Sequence, residues 1–297
     1  MEKINLVILV FLFSRSIKAQ EKNEFFSLNY SLAAPAEFKK SNSEMRFSSL
    51  DTYLITPTIN AGIKIKINNI FSYRFTEYDF SKEKNTSDEL KQQLTDAKWS
   101  VLFRYNFNER QYLFVLPQII FRSDLQNKFS SKDFFPAIYA IFYHTSKKNS
   151  RLKIGYGLAY SRDYFKNNLT PLLAFSYESE RLYFEAILPG NAQLTFLPNP
   201  AWEYGVVINL DTAVYKSDSS TNPETEYLRT LNIPLLLNVS RRIDGILWIN
   251  AKAGVSLIKN YGALDTHFDL IENQNTSLNP SPYFSIGLSM RLNENKK

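Results

Sequence analysis

The sequence predicts an all-β protein, a closed antiparallel transmembrane β-barrel of about 12 to 14 strands with long extracellular loops and short periplasmic turns. Three observations predict it. Apolar and polar residues alternate along most of the chain from residue 24 onward. The alternating segments are as long as strands that cross a membrane, and the connections between them are alternately long and short.

The first 19 residues have the pattern of a secretory signal peptide. The charged start Met1 to Lys3 precedes an apolar run from Leu6 to Phe13, and a small-residue cleavage site ends at Ala19. The apolar run is too short for a spanning helix, which needs roughly 20 residues. We therefore expect a cleaved signal peptide over 1–19 and a single outer-membrane barrel domain over 20–297.

Alternation with a period of two residues is clearest between Leu152 and Ser161. Large apolar side chains there face one side, and small or polar residues face the other. The same pattern returns at 99–107 and at 284–292. A soluble β-sandwich, the alternative fold, would show a bulky charged polar face, whereas small polar residues with a few charges are typical of a barrel lumen.

The predicted strands are even in number, as bacterial single-chain barrels require. We predict strands at 24–34, 46–58, 67–79, 96–107, 111–122, 134–146, 151–162, 169–178, 182–188, 192–197, 202–214, 227–240, 245–257 and 281–293. Long polar connections are predicted at 35–45, 80–95, 123–133, 215–226 and 258–280, with short turns between them.

Two features weaken the strand assignment locally. Residues 182–200 contain short strands and three prolines, so the total number of barrel strands is open between 12 and 14. Pro117 and Pro234 fall inside predicted strands, where a proline removes a donor from the hydrogen-bond ladder. They indicate either bulges or misplaced strand ends.

Composition excludes several functional classes. The chain has no Cys and only two His, so neither a thiolate nor a multi-histidine metal site is expected, and we expect no cofactor. Removing residues 1–19 leaves 278 residues and lowers the formal charge from +6 to +4. Because Lys and Arg are scattered, nucleic acid is not expected as a partner.

Two stretches carry a resemblance to a known family. They are LTPLLAFSYESERLYFEAILPGNAQLTFLPNPAWEYGV (169–206) and YLITPTINAGIKIKINNIFSYRF (53–75). The recurring elements are a strand containing proline, a Ser-Tyr ending, a tight turn and a second strand that closes in Leu-Pro, here Pro171, Tyr177, Leu188 and Pro189. In these features the chain resembles an uncharacterised family of outer-membrane β-barrel proteins, which implies a fold and a bacterial outer-membrane location.

The partners expected from this location are outer-membrane lipid and the barrel-assembly machinery. The last strand, from Tyr283 to Leu292, looks like the targeting signal that this machinery reads, although such signals usually end on an aromatic residue.

Alternation also predicts which charged residues face the lumen. These pore candidates are Arg74, Arg104, Lys153, Glu185, Glu203, Asp211, Lys252 and Arg291. They have mixed signs, which indicates salt-bridged wall residues more than a dedicated acid and base. Charges of this kind can set ion selectivity in a pore, or they can pair and fill the lumen.

Three functions follow, in order of preference. The first is a passive pore or small-solute channel, which the loop 258–280 restricts if it folds inward. The second is a structural or surface-interaction barrel with a closed lumen. The third is a membrane-embedded lipid hydrolase built on His144 and Ser146, which face the same side of one strand. Same-face neighbours lie about 7 Å apart, too far for direct activation, so we expect no enzymatic activity.

Overall fold

The computed structural model describes residues 24–41, 43–81, 90–126, 129–161, 168–217, 225–271 and 277–292. The predicted signal peptide lies outside these residues, so its cleavage stays a prediction. In this part of the chain, no helix is long and apolar enough to cross a membrane.

Seventeen strand segments follow one another along the chain. They are β1 (Glu24–Glu37), β2 (Glu44–Ile55), β3 (Ile59–Ala61), β4 (Ile65–Ser81), β5 (Leu90–Asn108), β6 (Gln111–Ser123), β7 (Phe134–Thr145), β8 (Leu152–Ser161), β9 (Asn168–Glu178), β10 (Leu182–Leu188), β11 (Asn191–Asn199), β12 (Trp202–Asn209), β13 (Asp211–Lys216), β14 (Tyr227–Asp244), β15 (Leu247–Leu264), β16 (Ser277–Leu278) and β17 (Ser281–Arg291). A 3-10 turn at Ser131–Asp133 precedes β7.

The segments form 14 barrel strands because three of these strands are interrupted. β2 and β3 both pair with β4, β12 and β13 both pair with β14, and β16 and β17 both pair with β15. The first and last strands close the barrel by antiparallel pairing, from Glu24 opposite Arg291 to Ala33 opposite Tyr283. The prediction of a closed antiparallel barrel is confirmed, at the upper end of the expected strand count.

The two prolines have different consequences. Pro234 lies at a register shift between β14 and β15, so the bulge expected there is present. At Pro117 the register between β5 and β6 is the same on both sides, and the expected bulge is absent. The pairing of these two strands is only interrupted between Gln118 and Val115, because proline offers no backbone N–H to the ladder.

The outward face of the strands carries a belt of exposed apolar side chains. On β4 the apolar outward face runs from Ile65 through the exposed Phe71 to Phe75, which is half-buried. That span is roughly 33 Å of strand, or about 25 Å along the membrane normal at a tilt of about 40°, which matches the apolar band of outer-membrane barrels.

Above the belt, the outward face becomes charged. Arg46 binds Asp79 at 2.8 Å, and Lys91 lies 3.7 Å from Glu77. These side chains share the outer face of β2, β4 and β5 at the end of the barrel that carries the long loops. We call this end the long-loop end and the opposite one the short-turn end. The strands therefore extend beyond the membrane at the long-loop end.

Candidate functional site: the barrel lumen

The lumen is packed with apolar side chains at the long-loop end. Aromatic rings from four strands meet there, and we call them the aromatic plug: Phe47, Tyr78, Phe80, Tyr261 and Tyr283. The ring centroids of Tyr78 and Tyr261 are 5.3 Å apart, and those of Phe80 and Tyr261 are 5.0 Å apart. The plug leaves a cavity of only about 30 Å³ beside it, enough for very few water molecules.

The segment β13 reinforces this closure from inside the barrel. Its Ala213 and Tyr215 pack with the plug, whereas Val214, on the opposite face, packs with side chains of β6 and β7. At its end, Lys216 pairs with Ser123 of β6, although β7 to β11 lie between these strands in the wall. Both faces of β13 are therefore buried, and the segment crosses the lumen.

The described part of the loop 258–280 also folds over this end. The ring of Phe268 stacks on Tyr227 with the centroids 4.3 Å apart, and Ile271 packs against the cluster that contains the plug. Residues 258–264, predicted as loop, instead continue β15.

An ionic bridge spans the lumen just below the plug. The Nη1 atom of Arg74 donates to both carboxylate oxygens of Asp211, at 2.8 and 2.7 Å, and its Nε atom donates to Asp51. Asp51 lies directly opposite Arg74 on the neighbouring strand. Asp211 is far away in the wall, since β2, β1, β17, β15 and β14 separate β4 from β13. We call these three residues the Arg74 bridge.

A second ionic group lies beside the bridge, on β5 and β6. Arg122 donates to Asp96 at 2.7 Å, and Lys98 lies 3.3 Å from the same carboxylate. The side chains of Arg122 and Asp96 are only 2% and 4% exposed. Because a charge without a partner is costly at such burial, the two must be held as a pair.

Most of the predicted pore candidates near the short-turn end form hydrogen bonds, ion pairs or cation–π contacts with neighbouring side chains. Arg291 donates to Glu203 at 2.8 Å and to Glu24 at 3.2 Å, and its guanidinium lies over the ring of Trp248. The Arg104 guanidinium lies 4.1 Å from the ring centroid of Tyr112.

Two further candidates lie on β8 and β10. Glu185 accepts hydrogen bonds from Tyr183 at 2.6 Å and from Gln193 at 3.2 Å. Lys153 shares the inner face of β8 with Gly155, where a Cβ atom would lie 3.0 Å from Ile141 and Tyr143. The small residue makes room for inward side chains of the neighbouring strand.

Lys252 differs from these candidates. Among the described residues, it has no hydrogen bond and no carboxylate within 4.0 Å. It lines a cavity of about 400 Å³ below the Arg74 bridge, together with Asn29, Asn191 and Asn209. A second cavity, of about 190 Å³, lies on the other side of Arg74 and is lined by Asp96 and Lys98 among others. The Arg74 bridge therefore lies between the packed end of the lumen and two polar cavities.

The sequence analysis missed at least four charged residues of the lumen. Asp51 and Lys98 occupy inward positions in the alternation of their strands, so the signal for them was available. Asp96 and Arg122 lie at the predicted ends of their strands, where loop charges are expected, but the real strands β5 and β6 extend past them.

The possible hydrolase pair lies at the short-turn end. Ser146 follows the last residue of β7, and its Oγ accepts the backbone N–H of Asn149 at 3.3 Å. No hydrogen bond joins it to His144 in the described structure. In the same residues, no group of three or more potential ligands is placed to hold a metal ion. The geometry gives the hydrolase hypothesis no support.

Several solved structures are similar to this chain at low identity. The COG4313 outer membrane channel from Pseudomonas putida F1 is 7% identical, with a TM-score of 0.48 over 93% of this chain and 97% of that one. The TodX deltaS2S3 mutant monoaromatic hydrocarbon channel is 10% identical, with a TM-score of 0.43 over 92% and 91%. The translocator domain of autotransporter NalP from Neisseria meningitidis is 9% identical, with a TM-score of 0.38 over 98% and 96%.

A comparison with curated proteins found no match. A family profile described as "Domain of unknown function (DUF6268)" matches residues 16–291. Since this match covers nearly the whole chain, the protein belongs to the DUF6268 family.

Proposed function

We propose that this protein is an outer-membrane channel for small polar solutes, closed in the described conformation. The apolar belt and the charged outer face above it support the membrane location, with the long-loop end outside the cell and the short-turn end in the periplasm. Cleavage of residues 1–19 and insertion by the barrel-assembly machinery belong to the same proposal. The polar cavities support a solute path.

The Arg74 bridge is the observation that carries the proposal. A barrel that needs only structural filling has no reason to span its lumen with one arginine bonded both to a carboxylate of the neighbouring strand and to one of a distant strand. Such a bridge is reversible, because its groups face polar cavities where water can replace each partner. We assign it as a gate, in series with the aromatic plug.

Single-channel conductance of the refolded protein in a planar bilayer tests this function. We expect rare openings for the unmodified chain. Arg74→Gln is expected to open several times more often, because the bridge to Asp211 is lost. Adding Tyr261→Ala, which removes a plug ring, is expected to raise the conductance further, since the two barriers lie in series.

Arg46→Gln is the matched control, because its ion pair with Asp79 lies on the outer face. Its conductance is expected to equal that of the unmodified chain. A barrel that keeps its heat-modifiable gel migration but stays silent in every variant contradicts the channel. Equal gains for Arg46→Gln and Arg74→Gln contradict the gate.

The second candidate function is a closed structural or surface-interaction barrel. The buried plug and the crossing of β13 favour it, because both close the long-loop end with tightly packed, buried side chains. The silent outcome above is the result that this function predicts.

A further inference from the structure

The 400 Å³ cavity below the Arg74 bridge has the character of a binding chamber. Its wall includes Lys252 and three asparagines, Asn29, Asn191 and Asn209. None of these four side chains has a hydrogen-bond partner among the described residues. Asn29 lies against Gly287, where a Cβ atom would come within 2.1 Å of its Oδ1 atom. A glycine is therefore needed to keep this amide at the wall.

Lys252 forms no ion pair among the described residues. The neighbouring cations Arg74, Lys98 and Arg122 are bound to the carboxylates Asp51, Asp96 and Asp211. Glu24, the carboxylate that acts most strongly on Lys252, is bound to Arg291. Lys252 is the cation that remains available for an anion, since a buried charge favours a partner.

Two buried polar atoms without hydrogen-bond partners lie next to Lys252, outside the lining of the chamber. Asn238 lies directly opposite Lys252 on β14, and its Oδ1 atom is buried without a hydrogen bond. The Oδ1 atom of Asn250, two residues before Lys252 on the same face, is in the same state, and Asn250 is only 5% exposed. The amides that do line the chamber, those of Asn29, Asn191 and Asn209, offer both donors and acceptors, which hydroxyl groups can satisfy.

We propose that the chamber binds a small hydroxylated monocarboxylate of about the size of a sugar acid. Lys252 pairs with the carboxylate, and the asparagines bond to the hydroxyls. The proposal deepens the channel function by naming the class of solute, but binding itself does not depend on conduction. Repulsion from Asp51 and Asp211 is limited because Arg74 holds both.

Titration calorimetry of the refolded barrel in detergent, with sodium D-gluconate as the probe, tests the site. We expect saturable binding, and binding of uncharged D-glucose at least about tenfold weaker because the charge-assisted contact is lost. Lys252→Met is expected to weaken gluconate binding to the same extent. Lys66→Met is the control: this lysine lies opposite Arg104, near the short-turn end and away from the lining of the chamber.

Heat-modifiable migration confirms that each variant has folded. Equal gluconate affinity in Lys252→Met and the unmodified chain overturns the proposal, as does a conducting barrel that binds neither probe. A barrel that binds gluconate through Lys252 but never conducts retains this site and overturns only the channel.

Discussion

The two halves of the lumen are built from the same strands but in opposite ways. Toward the short-turn end, inward positions of β1, β2, β4 and β15 hold small polar residues and charges around open cavities, beside a smaller packed cluster on β6 to β9 that includes Tyr112 and Tyr143. Toward the long-loop end, the same inward positions hold large aromatic rings, and an internal strand crosses between them. The difference indicates that one wall pattern serves both a wet chamber and a dry seal, depending on the size of the inward side chain.

The largest effect is expected from a charge placed in the seal. Val214 of β13 is completely buried between β6, β7 and β14, so Val214→Asp introduces a carboxylate without a partner. The expected loss of stability is about 3–5 kcal/mol. Urea titration of the barrel in lipid vesicles measures it.

Val207→Asp is the matched change in the wetter half, because Val207 of β12 is only partly buried. Its expected cost is well under half as large. Equal costs would mean that both halves are dry, and the contrast between them would fail.

A smaller effect is expected from removing one ring of the plug. Tyr261 contacts both Tyr78 and Phe80, so Tyr261→Ala leaves a cavity in packed surroundings and is expected to cost about 3 kcal/mol. Tyr53→Ala removes a ring from the wall of the 190 Å³ cavity, where water fills the space, and is expected to cost about 1 kcal/mol. The same urea titrations compare them. A larger loss of stability for Tyr53→Ala than for Tyr261→Ala would contradict the conclusion that the tightly packed seal lies at the long-loop end.

The smallest effects concern ion pairs inside and outside the wall. Asp96→Asn weakens the buried pair with Arg122 and is expected to cost about 2–3 kcal/mol. Asp79→Asn breaks the pair with Arg46 on the outer face, where Arg46 is 47% exposed, and is expected to cost under about 1 kcal/mol. Thermal unfolding followed by gel migration separates the two. Nearly equal decreases in unfolding temperature for the two variants would show that water reaches Asp96.

Most of the fold could be predicted from the sequence. Each of the 14 predicted strands overlaps a strand of the barrel, because alternation reports directly which face meets lipid. The strand ends were less accurate: β14 and β15 extend to Asp244 and Leu264, beyond the predicted 240 and 257. These extensions lie at opposite ends of the barrel, and outside the apolar belt at either end the outer face becomes polar, so the contrast that marks a strand disappears.

The site was predictable only in part. The alternation of inward and outward positions places Arg74 and Asp211 inside the barrel. It does not show how close two strands that are far apart in the wall come to each other across the lumen. The crossing of β13 was also missed. Predicted as the end of one strand over 202–214, it bends inward after Asn209, where its pairing with β11 ends.

What the sequence by itself determined is the barrel, its strand order and the charge of its lumen, since these depend on a local period of two residues. The tertiary structure alone decided which charges meet, where the lumen is sealed and that Lys252 forms no ion pair within the described part of the chain. Those features depend on the curvature that closes the sheet, which brings β4 to β13 and β6 to β13 across the lumen. No local sequence pattern encodes the distance between strands that meet across the lumen.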